Sequence, residues 1–131
     1  MNIKEGIEKR FSVRAFTDEV PSIEIIKEIL QVANFAPSGG NIQPWKVYVL
    51  DQKSKSKLAE KALNNFDTGV QEEVEYDIYP KPLRDEYKKR RYECGADMYN
   101  ALSIEKDDLD SRFKQIRENY NFFGAPIGMI I

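Results

Sequence analysis

The chain has 131 residues, of which 41% are hydrophobic and 32% are charged. This length is typical of one domain, and this balance is typical of a soluble globular protein rather than a disordered or fibrous one. The formal net charge of −2 argues against a general nucleic-acid-binding protein, because such proteins carry a basic excess. Since no apolar run approaches the roughly 20 residues of a membrane span, we expect neither nucleic acid nor a membrane as a partner.

Two residue types limit the chemistry that is possible. The sequence has no histidine and a single cysteine, Cys94, which we expect to be buried as a small apolar side chain. Ser-His-Asp and Cys-His catalysis, metal sites built from His or clustered Cys, and disulfides within the chain are therefore excluded. The N-terminus lacks the apolar segment of a signal peptide, so a cytoplasmic location is expected. If the chain is an enzyme, carboxylates or a cofactor must supply the chemistry.

The first fifty residues are predicted to form two helices, a loop and a strand. Ser22 can cap the second helix, because its side-chain oxygen can accept a backbone N–H that the helix leaves unpaired. Pro37 stops that helix, since it pushes the preceding residue toward an extended conformation. The predicted elements are a helix around Ile3 and Ile7, an extended segment over 10–16, a helix following Ser22, a loop over 38–44 and a strand over 45–50.

The rest of the chain is predicted to be mainly helical. A long irregular segment over 68–84 interrupts it, and loops of this length in compact domains tend to be functional. This order suggests a sheet covered by helices, although two short strands do not make a stable sheet alone. The predicted elements are helices from near Ser54 to Phe66, over Tyr87 to Leu102 and over Leu109 to Tyr120, and a strand over 127–131.

Arg10, Ser12 and Arg14 alternate with two apolar residues. In an extended segment this spacing places the three polar side chains on one face. Two guanidinium groups beside a hydroxyl predict a phosphate-binding fork, because arginine binds oxyanions through two parallel hydrogen bonds. The same short pattern also fits two solvated arginines at the end of a helix.

The loop after the second helix contains Pro37-Ser38-Gly39-Gly40-Asn41. Paired glycines permit a positive φ and allow the backbone to approach a flat ligand closely. Asn41 and Gln43 each carry a donor and an acceptor on one planar amide, which suits a heterocycle with imide groups. A plain connection between helix and strand is the alternative. No Rossmann or P-loop pattern is present, so a nicotinamide cofactor would not bind in the Rossmann manner.

The second half contains basic and aromatic residues with two possible interpretations. The run Lys88–Arg91 forms either a solvated helix face or a surface that attracts an anionic substrate or cofactor phosphate. Tyr76, Tyr79 and Tyr87 either line an aromatic substrate pocket or pack the irregular segment.

Taken together, R-x-S-x-R at Arg10–Arg14 and A-P-S-G-G-N-x-Q-P-W at Ala36–Trp45 resemble the nitroreductase family of FMN-dependent oxidoreductases. The segment from Pro80 to Pro126 is similar to the middle of bacterial nitroreductases that act on nitroaromatic compounds. The resemblance covers essentially all of residues 1–131, as the N-terminal portion of one nitroreductase-like domain whose second half is absent. It implies an α+β fold with a mixed sheet, covered by helices on both faces and incomplete at the C-terminus.

The resemblance also implies a homodimer with FMN at the subunit interface. NADH or NADPH would donate a hydride to the flavin, and nitroaromatic or quinone-like small molecules would accept it in a ping-pong mechanism. The flavin carries that chemistry, so no catalytic side chain is assigned. The alternatives are a flavin-binding regulatory or sequestering protein without turnover, and an inactive fragment. The implied cofactor-binding residues are Arg10, Ser12 and Arg14 for the phosphate and ribityl chain, and Pro37, Ser38, Gly39, Asn41 and Gln43 at the flavin, mostly from the partner subunit.

Overall fold

The computed structural model describes residues 2–70 and 75–131, so the predicted irregular segment over 68–84 lies partly outside the described residues. Within these ranges the backbone forms five α-helices, two short 3₁₀ helices and two strands, and the predicted α+β class is confirmed. In chain order they are α1 (Ile3–Lys9), α2 (Ile23–Ala33), a 3₁₀ helix (Gly39–Asn41), β1 (Tyr48–Leu50), α3 (Gln52–Asp67), α4 (Asp85–Ala101), α5 (Leu109–Arg117), a 3₁₀ helix (Phe122–Gly124) and β2 (Gly128–Ile130).

The chain groups into two compact units. Unit 1 contains Met1–Lys61 together with Asn121–Ile131, and unit 2 contains Ala62–Tyr120. The boundary between them falls within α3. The single domain over residues 1–131 stays a prediction.

The first two helices of unit 1 begin at side-chain caps. Asn2 Oδ1 accepts the backbone N–H of Glu5 at 2.9 Å, and a Glu5 carboxylate oxygen accepts the N–H of Asn2 at 3.0 Å. Ser22 Oγ accepts the N–H of Ile25 at 3.3 Å, which confirms the predicted cap of α2. Helix α2 ends at Ala33, before Pro37, and Phe35 N then donates to the Val32 carbonyl in a closing turn.

The sheet of unit 1 is a short antiparallel pair. Strand β1 pairs with β2 so that Tyr48 faces Ile130 and Leu50 faces Gly128. The strands predicted over 45–50 and 127–131 are therefore too long, because a ladder extends only where both strands have a partner. The mixed sheet implied by the resemblance is represented in the described residues by this pair alone.

Few described side chains are buried, and one of them is charged. Ile26 and Ala59 are 4% exposed, and Ala125 is 9% exposed. Lys55 is 7% exposed, and its ammonium donates to the backbone carbonyl of Ala125. This bond offsets part of the cost of removing the charge from water. The core of unit 1 therefore depends on an interaction between α3 and the segment that leads into β2.

Gly128 allows a close aromatic contact at the start of β2. A Cβ at this position would stand 2.9 Å from Phe122 Cε1 and 3.5 Å from Lys55 Cγ. The first of these distances is shorter than carbon atoms normally tolerate. The Phe122 ring can pack here because residue 128 has no side chain.

In unit 2, an aromatic cluster joins the end of α3 to α5. The Phe66 ring centroid lies 4.9 Å from that of Phe113 and 4.7 Å from that of Tyr120. Next to Phe66 in the sequence, Asp67 accepts two hydrogen bonds from Arg117, at 2.9 Å from Nε and 2.8 Å from Nη2. This bidentate pair lowers the pKa of the Asp67 carboxyl below its ordinary value of 3.8.

Cys94 is exposed, and the prediction that it is buried is wrong. The prediction placed it on an apolar face of α4 with Met98 and Leu102. The side of α4 that lines a cavity instead carries Gly95, Ala96 and Tyr99. Cys94 is not among the residues that line this cavity.

We expect the Asp67–Arg117 pair to make unfolding of the protein depend on pH in the acid range. Because folding lowers the Asp67 pKa, the stabilisation is complete above the unfolded-state pKa and is lost as the pH falls through the folded-state pKa. Thermal unfolding from about pH 6 to about pH 2 should therefore show a smaller loss of stability for Asp67→Asn than for the parent chain. Arg117→Gln and the double variant should show the same reduced dependence, and a dependence equal to the parent's would contradict the assignment.

Candidate functional site

The loop between α2 and β1 is closed around Ser38. Asn41 N donates to the Ser38 carbonyl at 2.9 Å, and Gln43 N donates to Ser38 Oγ at 2.9 Å. Gly40 has a φ of 59°, as the paired glycines predict. Asn41 and Gln43 also have positive φ, at 54° and 45°. The loop is therefore a strained and internally bonded turn.

The side chains of Asn41 and Gln43 form one polar edge. Gln43 Nε2 donates to Asn41 Oδ1 at 3.0 Å. This bond leaves the Asn41 amide N–H groups, the Gln43 carbonyl oxygen and one Gln43 N–H for a ligand. A joined donor and acceptor of this kind matches the alternating N–H and C=O groups of an imide.

This polar edge lines a cavity in unit 1. The cavity has a volume of about 640 Å³ and is also lined by Pro37, Phe35 and Asn34. Trp45 Nε1 donates to Asn34 Oδ1 at 3.3 Å, which ties the end of the loop to the end of α2. A volume in this range is ordinary for a small-molecule pocket.

Arg10, Ser12 and Arg14 lie on the segment that follows α1. Arg10 is extended, with φ −66° and ψ 128°, and all three residues are exposed. The Arg14 guanidinium lies 5.6 Å from the centroid of the Phe123 ring. Across the described ranges, none of the three side chains takes part in an ion pair or hydrogen bond. Their predicted position on one face stays a prediction.

The predicted residues fall into two groups that do not share the cavity. Pro37, Asn41 and Gln43 line it, and Ser38 closes the loop beside it. Gly39 begins the 3₁₀ helix of the loop. The described lining contains none of the three residues of the R-x-S-x-R segment. The structure therefore brings the loop residues together at this cavity and leaves Arg10, Ser12 and Arg14 outside its described lining.

Phe123 contacts one of the predicted binding residues, Arg14, and residue spacing did not predict this contact. Phe122, Phe123 and Gly124 adopt φ values of 55°, 51° and 73° in succession, and left-handed backbone is uncommon for aromatic residues. This strained segment carries the Phe123 ring, which makes a cation–π contact with the Arg14 guanidinium. The sequence Asn121-Phe122-Phe123-Gly124 could have indicated this feature, because two aromatic residues lie between an asparagine and a glycine, which are typical of turns.

Two kinds of site are absent from the described residues. Among residues 2–70 and 75–131, no group of three or more Cys, Asp or Glu side chains could hold a metal ion. In the same part of the chain, no helix has the length and apolar character needed to cross a membrane.

Comparison with models of known protein families identifies the family to which the chain belongs. A model of the nitroreductase family matches residues 7–131. The chain belongs to the nitroreductase family. The match includes both the R-x-S-x-R segment and the Ser38–Gln43 loop of this nitroreductase chain.

Individual relatives agree with the family and with the fold. The chain is 37% identical over 125 residues to a 4-nitrobenzoate reductase of Nocardioides sp. (strain LMS-CY), covering 93% of this chain and 51% of the relative. It is 32% identical over 129 residues to a nitrobenzene nitroreductase of Ectopseudomonas oleovorans, covering 98% and 57%. The crystal structure of the FMN- and NADPH-dependent nitroreductase NfnB from Sphigopyxis sp. strain HMH superimposes with a TM-score of 0.87 at 36% identity, covering 98% of this chain and 58% of that chain.

The nitroreductase-like fold that the resemblance implied is therefore confirmed. The chain spans about half the length of the curated relatives that it matches. Its residues fit the cofactor of the solved relative by the chemistry of their donors. Arg10 and Arg14 are exposed and have no carboxylate partner among residues 2–70 and 75–131, which fits a phosphate, and the Asn41–Gln43 edge fits an imide.

We expect Gly40→Ala to destabilise the protein, because residue 40 holds a left-handed conformation that disfavours a Cβ by about 1–2 kcal/mol. The added methyl group itself would meet only Ile42 Cγ2, at 3.9 Å, so the penalty comes from the backbone. Thermal or denaturant unfolding measures it.

Gly39→Ala is the matched control. A Cβ at residue 39 has nothing within 4 Å in the described structure, and its φ is not positive. Equal stabilities of the two variants would contradict the backbone argument.

Proposed function

We propose that this nitroreductase chain is part of an FMN-dependent oxidoreductase that uses NADH or NADPH to reduce nitroaromatic or quinone-like acceptors. The observation that carries the proposal is the bonded Asn41–Gln43 edge in a cavity of a chain that belongs to the family. FMN, when bound, supplies a centre that accepts a hydride from one molecule and passes it to another. The protein's own residues bind and orient. A cytoplasmic location is part of the proposal.

In this proposal, Arg10, Ser12 and Arg14 hold the phosphate end of the cofactor. Their side chains have no partners among the described protein groups other than the Phe123 ring beneath Arg14, so their donors are available to an oxyanion. The ring centroid lies 5.6 Å from the guanidinium carbon of Arg14, and this cation–π contact restricts the movement of the group. The fork is thus partly preorganised.

The loop residues hold the ring system. Asn41 and Gln43 present donors and an acceptor to an imide edge, and Gly39 leaves the backbone open to a flat ring because it carries no Cβ. Pro37 forms part of the same cavity wall. Ser38 contributes through the loop, because its Oγ accepts the N–H of Gln43 and keeps that residue in place.

A homodimer with FMN at the interface is part of the proposal. The fork and the loop form separate partial sites within one chain, so a second copy would complete each. Apolar side chains beside the fork support this arrangement, since Ile3 is 85% exposed, Ile7 71% and Phe11 73%. Apolar surface of this kind typically marks an interaction site.

Anaerobic addition of NADPH to the flavin-loaded protein tests the function. Loss of the flavin absorbance followed by its recovery with a nitroarene supports an oxidoreductase. Loss without recovery, or no loss at all, would favour the regulatory or sequestering alternative.

Arg14→Ala should weaken FMN binding by about 10- to 150-fold, the scale of one hydrogen bond to a charged group. A flavin titration of the apoprotein measures the affinity. Lys9→Ala removes the same unit charge from the end of the neighbouring helix and should change the affinity by less than about threefold, the scale of a screened surface charge. An affinity unchanged by Arg14→Ala would remove this residue from the site.

We expect NAD(P)H and the acceptor to use the same site in turn, because the sequence has no Rossmann motif for a separate nicotinamide site. Initial-rate plots at several fixed acceptor concentrations should then give parallel lines, as a ping-pong mechanism requires. Intersecting lines would indicate that both substrates bind together.

A further inference from the structure

Unit 2 contains a cavity that the proposed flavin site does not use. It has a volume of about 540 Å³ and lies along one side of α4, which contributes Tyr92, Gly95, Ala96 and Tyr99 to its wall. Gly95 and Ala96 are small, so the helix backbone approaches the cavity closely. This volume suffices for one aromatic ring and a charged substituent.

Three of the four cations that line the cavity have no carboxylate partner among the described residues. Arg91, Lys106 and Arg112 line it and take part in no ion pair within the described part of the chain. Lys88 also lines it, but its ammonium is paired with Asp85 at 2.9 Å. A single acidic residue among the lining positions, Glu105, leaves the described wall with a net positive charge.

Two of these cations are held by aromatic rings instead of carboxylates. The Arg112 guanidinium lies 4.1 Å from the centroid of the Tyr99 ring, and Arg91 lies 4.3 Å from that of Tyr79. Arg112 Nε also donates to the Glu105 carbonyl at 3.0 Å, which fixes the plane of the group and leaves its Nη atoms free. An arginine fixed in this way keeps its terminal donors for an anion.

We propose that this cavity binds a planar aromatic ligand that carries an anionic group. The unpaired cations bind the anion, and the tyrosine and small-residue wall packs against the ring. Two sources share this chemistry, an aromatic carboxylate and the phosphorylated end of an adenine nucleotide. The proposal rests on the proposed oxidoreductase function, because both sources belong to the chemical classes of its acceptor and its donor. It can fail separately, because binding is measured without turnover.

Calorimetric titration of the full chain with benzoate and with adenosine 2′,5′-bisphosphate tests the proposal. Benzamide and adenosine are the neutral controls, because each has the same ring system without the anionic charge. We expect the anion of at least one pair to bind about tenfold or more tightly than its neutral control, the scale of a charged hydrogen bond. The pair with the tighter anion identifies the source. Equal affinities within both pairs, or no binding by either anion, would overturn the proposal.

Variants assign the binding to this cavity. Lys106→Gln is the variant that decides the test. Lys106 makes no ion pair in the described structure, so the substitution removes a charge without breaking a contact that stabilises the fold. It should weaken binding of the anion by about threefold or more. Arg112→Gln should weaken it more, although this variant also loses the bond to Glu105. Lys89→Gln removes the same charge from α4 outside the cavity lining and should leave the affinity unchanged. Anion binding that is equally tight in Lys106→Gln and the parent chain would place the ligand elsewhere and refute the proposal.

Discussion

Gly40 adopts a φ of 59°, and the geometry of the loop between α2 and β1 depends on this backbone conformation. With residue 40 in the left-handed region, the chain reverses tightly enough for Ser38 to accept one hydrogen bond from Asn41 and another from Gln43. The two amide side chains then meet and share a hydrogen bond. A loop without this reversal would present two separate amides, each with its rotamer entropy still to lose on binding. The backbone constraint at one glycine therefore prepares the polar edge on which the proposed cofactor site depends.

Few described side chains are buried, so the packing of unit 1 depends on a small number of contacts. In unit 1 the core includes a lysine, and the bond from Lys55 to the Ala125 carbonyl joins α3 to the segment that carries Phe122 and Phe123. That segment in turn places the Phe123 ring under Arg14. A buried ammonium and two left-handed phenylalanines both cost free energy. Left-handed backbone at Phe123, whose ring contacts Arg14, is consistent with the proposed binding role of the R-x-S-x-R segment, because such strain tends to occur at binding sites.

The sequence predicted the helices well and the strands less well. Caps and apolar spacing are local signals, and the cap at Ser22 was found from them correctly. The length of a strand depends on its partner, and the pairing of Tyr48 with Ile130 joins residues far apart in the chain. The prediction that Cys94 is buried was wrong for a related reason. Which side of α4 is covered depends on tertiary packing, and the apolar residues of the helix alone do not determine it. The loop residues of the proposed site were predicted from a contiguous motif, and Pro37, Asn41 and Gln43 do line one cavity. The contact between Arg14 and Phe123 joins segments far apart in the chain and could not be predicted in this way.

The arginines of this chain show why net charge is a poor guide to where anions bind. The formal charge of −2 argues against a general nucleic-acid partner, but it does not show which arginines keep their N–H donors available for an anion. Arg117 uses Nε and Nη2 on the Asp67 carboxylate. Arg14, Arg91 and Arg112 lie against aromatic rings, and a ring face holds a guanidinium without consuming its in-plane N–H groups. An arginine stacked on a ring is therefore restricted in position and still able to bind an anion, and stacked arginines occur both beside the proposed cofactor site and in the cavity of unit 2.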